Sequence, residues 1–171
     1  MRLGSSTALA VGRAVALVNL HVAHGADLRQ DDLYEVLRAY SSARNGLDVP
    51  AFTQLAHGLR DALADSDPAV RVERIDRLLE RLRPMPRLGV DDVEGVFFRY
   101  SVTGTAVERI GAALVMAVAT VIVEGDEQRF GWCAAPPCGR LFFDRSRNRS
   151  QRFCSRSCAT RVHVRAHRAR Q

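Results

Sequence analysis

The chain has 171 residues, 47% hydrophobic and 26% charged, with a net charge of +6 in which every basic residue is arginine. This is too apolar for a disordered chain and long enough for one globular domain with a small appendage. The charge is uneven: residues 1–128 hold 14 Arg against 18 acids, net −4, while residues 129–171 hold 11 Arg and the single acid Asp144, net +10. A basic tail beside a mildly acidic body points to a polyanion partner for the tail; the alternative is a solvated extension that keeps the chain soluble.

The first helix is expected over about Thr7 to His24. Arg13 and Asn19 interrupt its apolar run too early for a signal peptide, so no targeting segment is expected and the cytoplasm is the default. "DDLYEVLRAYSSAR" places Leu33, Val36, Leu37 and Tyr40 at helical spacing behind two acids, and Asn45–Gly46 stops it. A third helix is expected from Pro50 to Leu63, with Phe52, Leu55, Leu59 and Leu63 as its stripe. A fourth follows Asp67–Pro68, an acidic cap and a proline in the first turn. Its core face is expected to be Val72, Ile75, Leu78, Leu79 and Leu82. Two short strands are expected next, near Arg87–Val90 and Gly95–Val102. Gly104–Thr105 then opens a long apolar helix ending near Glu124. Its run from Ile110 to Val123 is shorter than the roughly 20 residues of a membrane span and reads as a buried helix.

All four cysteines fall in the last quarter, as Cys133-x4-Cys138, fifteen residues, then Cys154-x3-Cys158. Two close pairs supply the four soft ligands of a tetrahedral zinc, and each pair closes a short loop at little entropic cost. Buried free thiols and a disulfide are the competing readings; clustering disfavours the first and a cytoplasmic setting the second. In "CAAPPCG" two prolines stiffen the turn, and Gly139 permits a left-handed backbone. Between the pairs, "GRLFFD" reads as a strand, "RSRNRS" as a turn and "QRF" as the returning strand. The second pair is expected in the first turn of a closing helix, Cys154 and Cys158 on one face. Leu141, Phe142, Phe143 and Phe153 form a small apolar cluster, too little to fold alone without metal. His163 and His167 also lie four apart, but with four cysteines available they are expected to face solvent or phosphate. Four thiolates leave no open position for hydrolytic water.

Arg145, Arg147 and Arg149 alternate in the turn, Arg152 and Arg156 flank the second pair, and Arg161, Arg165 and Arg168 share a face of the last helix, with Arg170 beyond. An arginine-faced helix braced by zinc suits a DNA groove or backbone. Docking on acids of the body, exposure to water, and RNA are the other readings. In residues 1–128 no nucleophile–base pair, phosphate loop or acid cluster of metal spacing is found, so no enzymatic activity is expected. His21 and His24 near Asp27 read as incidental.

From Cys133 to Arg170 the chain resembles the CGNR zinc finger: two Cys, Leu141–Phe142–Phe143–Asp144, the "RSRNRS" run, two more Cys and a basic helix. The name-giving Cys-Gly-Asn-Arg is here Cys158–Ala159–Thr160–Arg161, and Phe153 stands where tryptophan is common. Residues 1–128 are similar in layout to the ABATE domain, with "LVNL" early, "DPAVRVERIDRLLERL" mid-chain and an apolar helix before the finger. The resemblance implies a bacterial, stress-induced transcription regulator. The expected architecture is thus α+β: a mostly helical body with a small hairpin over 1–128, then a zinc module of knuckle, hairpin and helix over 129–171. The ligands would be Cys133, Cys138, Cys154 and Cys158 on one structural zinc. DNA would be the partner of Arg145, Arg147, Arg149, Arg152, Arg156, Arg161, Arg165 and Arg168. The body would sense a small molecule or form a homodimer, with no membrane partner. A zinc-stabilised protein-interaction module is the alternative function.

Overall fold

The computed structural model describes residues 4–91, 95–100 and 103–169. The helices are α1 (Ser5–His24), α2 (Gln30–Leu37), α3 (Val49–Ala64), α4 (Pro68–Leu82), α5 (Ala106–Val123) and α6 (Arg156–Arg168). The strands are β1 (Arg87–Asp91), β2 (Gly95–Arg99), β3 (Phe130–Trp132) and β4 (Leu141–Phe143), paired as two antiparallel hairpins. The architecture is mostly helical, with a cysteine-bearing C-terminal module.

Local chemistry explains most boundaries. The Asp48 and Asp67 carboxylates accept the Ala51 and Ala69 N–H groups at the starts of α3 and α4, each followed by a proline in the first turn. Thr105 and Glu108 form a reciprocal capping box at α5. Gly25, at φ +57°, ends α1. The second helix is shorter than the periodicity suggested. It stops at Leu37, and Ser41–Asn45 continues as a 3₁₀ turn that ends at Gly46.

α5 lies in the middle of the body, against α1, α3 and α4. Leu17, Phe52, Leu55, Leu59, Ile110 and Leu114 are fully buried there. The helices approach closely at Gly111, where a β-carbon would stand 3.0 Å from both Leu55 and Leu82 side chains. The segments Ser6–His24 and Ala106–Val123 reach the length and hydropathy of a membrane span; here α5 buries eight residues against its neighbours. Val72 departs from its expected place, being 52% exposed. α4 buries nothing before Ile75, so the stripe is right in phase but its first turn lies beyond the core.

β1 and β2 pair in the register Leu88↔Phe98 and Val90↔Val96. These four side chains share one face and are all exposed. The second strand was expected to reach Val102; β2 ends at Arg99, and Ser101 and Val102 lie outside the described residues.

The C-terminal hairpin differs from the expectation. β4 does not return along Gln151–Phe153 but pairs upstream with β3, in the register Phe130↔Phe143 and Trp132↔Leu141. Asp144 explains why: its carboxylate accepts the Gln151 N–H at 2.8 Å and the Ser146 N–H at 2.7 Å, so the "RSRNRS" loop closes on a side chain and leaves no returning strand. The β3–β4 hairpin joins the body. Leu141 is 1% exposed and belongs to the main core, and Phe130, Trp132 and Phe143 pack against that core.

One side chain latches the hairpin. Cys133 N–H bonds Arg140 C=O, and Asp144 N–H bonds Arg129 C=O. The Trp132–Leu141 pair between them is therefore non-hydrogen-bonded, and the Leu141 amide faces away from β3. There Asn19 of α1 meets it. Asn19 Nδ2 donates to Leu141 O at 2.9 Å, and Leu141 N–H donates to Asn19 Oδ1 at 2.8 Å. A helix side chain thus completes the strand edge.

Candidate metal centre

The four cysteines converge from three local structures. Cys133 follows β3, and Cys138 closes the knuckle over the cis Pro136–Pro137 bond, with Gly139 behind it at φ +60°. Cys158 sits in the first turn of α6. Cys154 lies just outside that helix, not in its first turn as expected. The Ser155 hydroxyl accepts the Cys158 N–H and makes Ser155 the N-cap, so the helix begins at Arg156, two residues beyond Cys154.

The four Sγ atoms lie within 4.8 Å of one another. Cys138–Cys154 is 3.6 Å, Cys138–Cys158 is 3.7 Å and Cys154–Cys158 is 3.8 Å. A disulfide would hold its sulfurs at about 2.05 Å. Zinc bonded tetrahedrally at about 2.3 Å spaces its sulfurs by about 3.8 Å. The tetrad therefore fits one zinc ion, with every coordination position filled by thiolate. His163 and His167 are outside the cluster. His163 instead sets its ring edge against Phe153, 6.2 Å between centroids, and Phe153 does not join the hydrophobic cluster packed on the body core.

The thiols are electrostatically unequal. Burial raises the Cys133 thiol, but N–H groups of Cys154 and Ala135 and hydrogen bonds from Cys154 and Cys138 bring it down to about 7. Cys154 is pushed up to about 12, first by burial, then by the hydrogen bonds it shares with Cys138, Cys133 and Cys158 and by the charge on Cys133. A cluster of sulfurs crowded this closely keeps protons between them until a cation replaces them.

Residues 129–171 match the CGNR zinc finger family. The match covers 43 of the 171 residues. No curated protein matches the chain.

The structure places the finger's arginines in two groups. Arg149, at φ +49°, donates through Nη2 to Asp126 Oδ1 at 2.5 Å. Arg129 holds the same oxygen through Nε at 3.1 Å and donates to the Asp144 and Ser146 carbonyls. Asp126 is 4% exposed, so this pair of arginines compensates a buried carboxylate and pins the loop to the end of α5. Arg161 leans back on the metal site, its Nη2 3.7 Å from Cys158 Sγ and 3.5 Å from Ala135 O. The Cys and Arg kept from the family's name-giving motif are thus a ligand and the guanidinium beside it. The replaced pair, Ala159 and Thr160, lies half-buried and exposed on the helix.

The remaining arginines face outward. Arg145, Arg147, Arg152, Arg156, Arg165 and Arg168 are exposed. Arg145 passes over Gly12 of α1, and the Arg152 guanidinium lies 5.9 Å from the Phe153 ring centroid. Arg170 lies outside the described residues. After Cys158 no described residue of α6 is buried, so the helix projects from the molecule.

Sequence reasoning missed Asn19, Asp126, Arg129 and the loop-closing role of Asp144. Asp144 carried one visible signal, being the lone acid in a segment of eleven arginines. Burial opposes its charge, but the Ser146 hydroxyl and the N–H groups of Gln151 and Ser146 hold its carboxyl below the usual aspartate range. His21 also finds a partner that sequence distance concealed. Its ring packs edge-on to His57 at 5.3 Å, and His57 Nε2 is 3.2 Å from Asp61.

Proposed function

We propose that the CGNR finger binds duplex DNA through α6 and the 145–156 loop, and that the protein is a transcription regulator whose helical body senses a signal or mediates dimerisation. One observation carries this reading. Six exposed arginines lie on and beside a helix anchored at one end by the cysteine tetrad, with no buried residue after Cys158 among those described, and no acid follows Asp144. A rigid cationic helix with no competing carboxylate is suited to phosphate contact, and the loop arginines extend that contact along the backbone. Zinc would brace the surface, since a tetrad closed by four thiolates has no position for substrate. We assign the protein no enzymatic activity.

Six neutralised phosphates give log K a slope of about −5 against log salt. Titration of a labelled duplex at several salt concentrations, with zinc bound and after chelation, tests the reading. Binding is expected to be steep in salt and lost with the metal. Arg165→Ala with Arg168→Ala should lower the slope by about two and weaken binding to all sequences alike. No binding at low salt would refute the reading and favour a zinc-braced protein-interaction surface.

A further inference from the structure

We propose that the cleft between β2, α1 and α5 binds a small organic anion with an apolar body. This deepens the sensing role proposed above for the helical body, and its test involves no DNA. The cleft has a volume of about 850 Å³, within the range of small-molecule sites. Its apolar wall comes from Leu9 and Ala10 of α1, Ile110 and Ala113 of α5, and Phe97 and Tyr100 of the hairpin. Ala10 and Ile110 form its buried floor, while Leu9 is exposed and Ala113, Phe97 and Tyr100 are half-buried, so part of the wall meets water on the cleft side. A ligand of carbon skeleton would remove it from water, which inorganic phosphate could not do.

The charge of the lining fixes the sign of the ligand. Arg99 and Arg109 line the cleft, and among the described residues no aspartate or glutamate does. Arg109 is held in place by neutral partners: Nε donates to Ser42 Oγ at 2.9 Å and Nη1 to Gly104 O at 2.7 Å. Glu108 feels the charge of Arg109, but its carboxylate is bonded to the Thr105 N–H and hydroxyl at the α5 cap and does not line the cleft. Two guanidinium groups therefore face the space, with no carboxylate among its described walls. Ser6 and Ser42 add hydroxyls beside them. An aromatic or short-chain alkyl carboxylate or sulfonate satisfies both halves of this lining.

The zinc-loaded full chain, titrated with 8-anilinonaphthalene-1-sulfonate and with the uncharged N-phenyl-1-naphthylamine, tests the site. The sulfonate is expected to saturate a single class of site and to be displaced by decanoate. Arg99→Gln, an exposed change, should weaken the sulfonate about tenfold and the uncharged probe less than about twofold. Ala113→Phe should weaken both by filling the cleft; if that variant does not fold, Arg99→Gln alone decides. Val96→Thr, an exposed hairpin residue that does not line the cleft, should change neither. Sulfonate binding that survives Arg99→Gln, or that falls with Val96→Thr, would overturn the site and mark adsorption to the hairpin. Failure of DNA binding leaves this result untouched, so the two readings fail separately.

Discussion

Replacing Asn19 with alanine should release the finger from the body without unfolding either. Two hydrogen bonds disappear together, and the Leu141 N–H and C=O lose their partners on the side facing α1. Leu141 is 1% exposed, so water does not readily replace them. A buried backbone group left unpaired costs about 1–3 kcal/mol; for the two, about 2–4 kcal/mol is expected, allowing for partial relaxation. At about 1.4 kcal/mol per factor of ten, local opening at Leu141 becomes roughly 30- to 1,000-fold more frequent. Hydrogen exchange of the zinc-bound protein reads this directly. The Leu141 amide should speed up by that factor, while amides of α3 and α4 exchange as before. Asn19→Asp retains an acceptor for the Leu141 N–H but sets a carboxylate against the Leu141 carbonyl, so it should not rescue the latch. Unchanged protection at Leu141 in Asn19→Ala would refute the assignment of Asn19 as the latch.

Metal analysis of freshly purified reduced protein should find one zinc per chain; chelation should expose all four thiols to titrant and melt α6, while far-UV signal from the body helices persists. Apparent zinc affinity should rise with pH between about 6 and 8, because Cys154 enters the site as a thiol and must release its proton; competition with a chelator should show at least about a tenfold gain per pH unit, and a flat profile would contradict the shared-proton cluster. Asp126→Ala leaves Arg129 and Arg149 without their buried carboxylate; because Arg149 is 42% exposed and Arg129 keeps two carbonyl acceptors, the cost should be about 1–3 kcal/mol, measured by urea denaturation of the zinc-bound protein.

The cysteines were legible as a set because a metal site needs its donors in close pairs, and pairs four or five residues apart survive in any fold. Aspartate caps, Pro68 and the Thr105–Glu108 box were legible for a similar reason: each acts within four residues of itself. Chain-local rules failed where a partner came from elsewhere. "LFF" reads as a strand in either hairpin, and only the Asp144 carboxylate, by taking the Gln151 N–H, decides which neighbour it pairs with. Val72 has the right periodicity, yet whether its turn reaches the core depends on where α3 and α5 stop. Arg149 and Arg165 look alike in sequence. One compensates the buried Asp126, 23 residues away, and the other faces water.

The sequence by itself therefore determined the zinc ligands, the helix starts and the charge contrast between body and tail, since each depends on residue type and short spacing. Tertiary structure alone decided the latch between Asn19 and Leu141, 122 residues apart, the division of arginines into braces and projecting cations, and the cleft beneath the first hairpin. Those outcomes follow from which buried polar groups must find partners once distant segments meet, a requirement that no local pattern encodes.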